Sequence, residues 1–246
     1  MKLYDKSIST ITGLLGEKAD GSYPYDPSAA WPDNGHQELV LLRDAAYELG
    51  GDQKQSVNST CVTTTPGIVT EDSVEVFGKD LPDIKSDVSF ARIAILEIED
   101  PGEDEDAYNA IKDLEFVRYN VFPTGYMSRI SSENNKEKVR ISKKAVASGI
   151  TFQKVGQSYL KKYKSMPGVK HVKIIFATDP PKMDELISEA KKVSEITRTL
   201  THIMDGIPTD CSHCDLKAVC DTVDGIREMH MKQKKKDHQR MLEEED

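Results

Sequence analysis

Between residues 70 and 205, short β-branched apolar runs alternate with longer stretches whose apolar side chains recur at helical spacing, and no other pattern constrains the fold more. Val74-Glu75-Val76-Phe77 before Gly78, Ala91 to Ile98, and Val172 to Ala177 read as strands. A helix is predicted over about 105–122, where Ala107, Ile111, Leu114, Val117 and Val121 share a face and Pro123-Thr124-Gly125 marks the end. Another follows Ser142, an N-cap for Lys143 to Ser148, and a third spans Val155 to Lys164. The longest is predicted over about 181–203, capped by Asp179, with Met183, Leu186, Ala190, Val193, Ile196 and Leu200 on its buried side. The class expected is α/β or α+β, a mixed sheet flanked by helices.

The flanks are less regular. Leu3, Ile8, Ile11, Leu14 and Leu15 give a short helix over residues 3–15, and residues 16–36 then break with Gly, Pro, Asp and Ser. Tyr23, Tyr25 and Trp31 sit in that stretch among prolines, either as rings that pin a loop to the body or as an aromatic docking patch. Residues 38–48 read as a helix ended by Gly50-Gly51. The acidic run from Glu97 through Asp106, broken by Pro101-Gly102, reads as a solvated turn rather than a carboxylate active site. From about 224 a charged helical tail is expected, with Lys232, Lys234, Lys235 and Lys236 before Glu243, Glu244, Glu245 and Asp246. The expected organisation is residues 1–44 as a helix and proline/aromatic loop, 45–205 as the α/β domain, and 206–246 as a cysteine loop with its charged helix.

The apolar runs are far short of the about 20 residues that cross a bilayer, and Met1-Lys2-Leu3-Tyr4-Asp5-Lys6 carries no secretory signal, so a cytoplasmic protein is expected. With 42 acidic against 33 basic side chains, the formal charge of -9 repels a phosphate backbone, which argues against nucleic acid.

The four cysteines do not make a disulfide framework. Three fall between 211 and 220, and Cys61 stands far upstream. Cys211-x2-Cys214 can close two thiolates around one centre, and Cys220 supplies a third after five residues, as an iron-sulfur cluster or tetrahedral zinc requires. Polar Asp210, Ser212, His213 and Asp215 around them are unlike a packed core of unligated cysteines. A closed site needs a fourth ligand, for which His230, His213, Cys61 or an exogenous group are the candidates. Ligand type does not separate iron-sulfur from zinc.

Around these cysteines, and well upstream, the chain resembles the middle, cluster-bearing domain of acetyl-CoA synthase, the β subunit of the CO dehydrogenase/acetyl-CoA synthase complex. The resemblance is carried by Val139-Arg140-Ile141-Ser142-Lys143-Lys144-Ala145-Val146-Ala147-Ser148-Gly149, by Phe176-Ala177-Thr178-Asp179 and by the stretch Ile68 to Leu81, and extends over about residues 45–230. It implies a [4Fe-4S] cluster and maps the four ligand positions of that family onto Cys211, Cys214, Cys220 and His230, so that histidine replaces the fourth cysteine. Cys214 matches the cysteine that bridges to nickel, but the Cys-Gly-Cys segment that completes the nickel site is missing. Acetyl-CoA synthesis by this chain alone, and nickel binding, are therefore not expected.

The resemblance further makes Arg129 and Arg140 candidates for coenzyme A phosphate contacts, against the plainer reading of surface arginines. It implies a subunit that transfers electrons or presents a cluster in anaerobic one-carbon or acyl-CoA metabolism, with a corrinoid protein, CO dehydrogenase or a ferredoxin-like protein as partner. The alternatives are an enzyme that uses an open cluster iron or an added metal for acyl or methyl chemistry, and a zinc-stabilised scaffold or assembly factor. CxxC-x5-C also resembles the iron-sulfur clasp of exonuclease V-type nucleases, with Cys61 as the distant ligand, but their carboxylate-lysine pattern is missing.

Overall fold

The structure is a computed structural model that describes residues 2–51, 53–131, 135–206 and 211–244, with side chains described through residue 236 and at residue 239. In chain order the elements are α1 (Asp5–Leu15), β1 (Gly21–Pro24), β2 (Ala45–Leu49), β3 (Ser56–Thr63), β4 (Ser73–Phe77), β5 (Phe90–Ile98) and α2 (Asp104–Phe116). They continue with β6 (Tyr126–Ser131), β7 (Lys136–Ser142), α3 (Lys143–Ala147), α4 (Phe152–Lys164), β8 (Val169–Thr178), α5 (Met183–Met204), α6 (Lys217–Thr222) and α7 (Ile226–Glu244).

The larger sheet has the order β1-β4-β8-β5-β3. It is mixed: β4 pairs parallel with β8 and β5 parallel with β3, whereas β1/β4 and β5/β8 are antiparallel. A smaller antiparallel sheet, β2-β7-β6, lies against it. Strands buried on both faces read as largely apolar runs, and Val172 to Ala177 in β8 and Ala91 to Ile98 in β5 are such runs, interrupted by Lys173 in the first and by Arg92 and Glu97 in the second. One face of the larger sheet carries α4, where the rings of Phe90, Phe152 and Phe176 stack with centroids 4.7 to 6.2 Å apart. Gly156 lets α4 close on the sheet, because a Cβ there would lie 2.5 Å from Val74 Cγ2. The opposite face is covered by α5, on which α1 packs through Ser7 Oγ donating to Glu189 Oε1 (2.7 Å) and Tyr4 OH paired with Thr197 Oγ1 (3.0 Å).

The alternation seen in the sequence is present, with Ser142 Oγ capping α3 by accepting from Ala145 N (3.0 Å). Trp31 pins its loop: its indole Nε1 donates to Thr124 O (2.8 Å) and its own backbone N donates to Lys154 O (3.0 Å). One apolar core joins residues of α1, the sheets and the C-terminal helices, from Leu3 and Ile8 to Val219, Ile226 and Met229.

Four expectations fail. Gly21–Pro24, read as part of an irregular stretch, forms β1 along the edge of β4, and Glu97, read as part of a solvated turn, is buried in β5. Residues 38–48 are not a helix; Leu42–Asp44 make a single 3-10 turn and Ala45–Leu49 join β7, where Glu48 binds Lys138 Nζ (2.9 Å) and Arg140. Strand pairing overrode a local helical spacing, and leaves Leu39, Leu41 and Leu42 exposed. Asp179 is not a helix cap. It adopts φ 45°, its carboxylate accepts from Ser89 N (2.8 Å), and α5 begins only at Met183.

Candidate metal centre

The cysteine loop hangs from a few apolar anchors. Leu216 and Val219 of the loop and α6, and Ile226 and Met229 of α7, are buried, while the residues between them face water. Arg198 on α5 pairs with Asp215 and ties the loop to the body. Cys214 accepts from Lys217 N (3.1 Å) through its carbonyl as α6 begins, and Cys220 lies in that helix. Cys214 and Cys220 are half-buried and Cys211 is exposed. Burial, and then the nearby Cys214 and Cys211 sulfurs, push the Cys220 thiol up. Close thiolates repel unless a cation is held among them.

His230 lies on α7, one turn before Lys234, whose Nζ is 3.8 Å from Cys211 Sγ. Residues four apart share a helix face, so His230 lies on the face of α7 from which Lys234 reaches the loop. Burial, and then the Lys234 charge, hold the His230 imidazole below the usual histidine range, which favours the neutral form a metal needs. Three thiols and a neutral imidazole are a donor set that suits iron-sulfur or zinc. Among the described residues no three His, Cys, Asp or Glu side chains are drawn together into metal-binding geometry.

The other sequence candidates lie elsewhere. Cys61 is fully buried in β3, its thiol pushed up to about 12 chiefly by burial, and the charged groups near it are Glu115 and Glu189 rather than the loop. His213 is exposed, with Nδ1 3.0 Å from Ser212 Oγ. Arg140 is engaged by Glu48, and Arg129 is exposed on β6 opposite Lys138.

A polar cluster between the two sheets was missed by sequence reasoning. Glu137 on β7, wholly buried, accepts from Arg92 Nε (2.8 Å), Asn58 Nδ2 (2.7 Å) and Ser128 Oγ (2.6 Å). Arg92 also lies 4.3 Å from the centroid of the Tyr159 ring, and Arg118 donates to Asn58 Oδ1 (3.3 Å). Burial opposes the Arg92 charge, but Glu137 together with the Tyr159 and Tyr126 hydroxyls outweighs it, and the guanidinium stays protonated. The available signal was a single arginine inside the apolar run Ala91 to Ile98, which needs a buried counter-charge to be tolerated.

The model of one protein family, the CO dehydrogenase/acetyl-CoA synthase complex beta subunit, matches residues 35–183, well over half of the chain. The chain belongs to that family. Among curated proteins none matches it. Membership in the acetyl-CoA synthase family confirms the resemblance read from the sequence and places the chain in a metal-cluster-bearing enzyme family whose complex supplies protein partners. The matched region runs from the segment before β2 to the first residue of α5 and contains the Arg92–Glu137 cluster; it stops before the cysteine loop. Among the described residues no helix is long and apolar enough to cross a membrane.

Proposed function

We propose that this acetyl-CoA synthase relative is a cluster-bearing subunit acting in anaerobic one-carbon or acyl-CoA metabolism, with Cys211, Cys214, Cys220 and His230 holding a [4Fe-4S] cluster. The approach of Lys234 to Cys211 carries this reading, because His230 stands one turn before Lys234 on the same face of α7. The soft donors suit the cluster, which when bound supplies one-electron transfer. The chain's own part is to hold it: α6 and the turn before it present Cys214 and Cys220, α7 presents a neutral imidazole, and Lys234 offsets thiolate charge. On this reading the segment 206–246 is a cluster module on the α/β body 45–205. The protein works in the cytoplasm and hands electrons to, or takes them from, a corrinoid protein, CO dehydrogenase or a ferredoxin-like partner. Arg140 is held by Glu48, and Arg129 on the edge strand β6 has no ion-pair partner among the described residues, so coenzyme A phosphate contacts are left to Arg129.

Anaerobic purification with iron, sulfide and zinc analysis and electron paramagnetic resonance tests the proposal. About four irons per chain are expected. His230→Cys should retain the cluster at a lower potential, because a thiolate replaces a neutral ligand. His230→Ala should make one iron labile. Zinc without iron would instead favour a structural metal in a scaffold, and neither metal would end the proposal.

A further inference from the structure

An apolar groove opens where the acidic turn after β5 meets the turn between α4 and β8. It has a volume of about 340 Å³, with Ile98, Ala110, Leu114 and Met166 among its lining residues. Glu99 N donates to Gly168 O (2.7 Å) and so holds the two turns together at one side. Glu99, Asp100 and Asp113 also line it, all three exposed, and among the described residues none of them has a cationic partner. No lysine, arginine or histidine among the described residues lines the groove. A floor for aliphatic carbon beneath unpaired carboxylates matches a lysine or arginine side chain, whose stem buries while its head stays at the wet rim. The same turn already receives such a group: Lys232 Nζ of the basic helix α7 lies 3.6 Å from Asp104 Oδ2, beyond the groove. We infer that the groove docks a basic segment of a partner protein, one or two lysine or arginine side chains lying over the apolar floor. Charge complementarity selects the occupant, and membership in a family of complex subunits supplies the need for a protein partner. The inference does not depend on the metal reading, since no groove residue belongs to 206–246.

The test uses the full chain, isotope-labelled, titrated with a capped hexapeptide of alternating lysine and leucine and with its glutamate-leucine counterpart. Shifts at Ala110, Leu114 and Met166 are expected with the basic peptide alone, weakening by about tenfold as salt rises from about 50 to about 300 mM. They should vanish in the triple variant Glu99→Gln, Asp100→Asn, Asp113→Asn, whose exposed positions leave the fold unchanged by circular dichroism. Absence of shifts at the three floor residues, equal response to the acidic peptide, or an undiminished response in the triple variant would each overturn the inference. So would a salt-sensitive dimer by light scattering that the triple variant abolishes, because the occupant would then be a second copy of this chain.

Discussion

The body and the cysteine region solve the problem of buried polarity in opposite ways. Between the sheets Glu137 is satisfied by Arg92, Asn58 and Ser128, all within 2.8 Å, in a site closed by strands on both sides. Around the cysteine loop the buried anchors are Leu216, Val219, Ile226 and Met229, and the polar groups nearby are the thiols of Cys211, Cys214 and Cys220 and, on α7, the His230 imidazole. In the first region the Glu137 carboxylate is satisfied by the protein's own side chains, although Arg92 Nη2 beside it is buried with no hydrogen-bond partner among the described residues. The second has the donor chemistry of a site finished by an added ion, and metal binding there couples to local folding. The family match, residues 35–183, contains the first region and stops within the body, at the start of α5.

The largest effect that can break this comparison is expected at Glu137. Replacing Glu137 by Ala leaves the Arg92 charge buried and unpaired, which should cost about 3–5 kcal/mol in urea unfolding. A loss below about 1 kcal/mol would mean that water reaches Arg92 and that the body is no more closed than the loop. Next comes Gly156→Ala on α4. The gain in helix propensity is about 0.5–1 kcal/mol, but the new methyl meets Val74, so a net loss of up to about 2 kcal/mol is expected by thermal melting. Cys220→Ser should be nearly silent in the same melt, within about 0.5 kcal/mol, while abolishing bound metal. If it unfolds the body as Glu137→Ala does, the two regions are one cooperative unit.

The legible parts of the sequence were those where one physical term dominates. Largely apolar β-branched runs located β5 and β8, and the apolar face of residues 183–200 located α5, because burial alone decides them. By contrast β3, Ser56-Val57-Asn58-Ser59-Thr60-Cys61-Val62-Thr63, gives no strand signal because Ser, Asn and Thr interrupt its apolar positions, yet every residue is buried and Asn58 is satisfied by a strand 79 positions away. Residues 38–48 failed for a related reason: the pairing of Glu48 with Lys138 and Arg140 is a property of β7, invisible at β2. The same holds for the site. Spacing singled out Cys211, Cys214 and Cys220 as candidates, whereas the placement of α7 depends on Ile226 and Met229, buried in a core assembled from the whole chain.

The smallest expected effect probes the closed body from its other face. Glu115 on α2 accepts from Thr197 Oγ1 (3.0 Å), and burial, against the partial relief of Arg118, raises its pKa. A carboxyl raised on folding favours the folded protein while protonated. Its contribution is thus complete below the ordinary glutamate range and is lost as pH rises through the higher folded value. Glu115→Gln keeps an acceptor for Thr197 but removes the charge, so the variant should melt higher than the parent at pH 7, and the gap should close as the pH falls toward 4. A gap that persists at acid pH would show that the glutamine gains from packing rather than from the missing charge. A gap of the opposite sign would show Glu115 to be stabilised by Arg118 more than burial penalises it, making this face of the sheet as open to water as the cysteine loop.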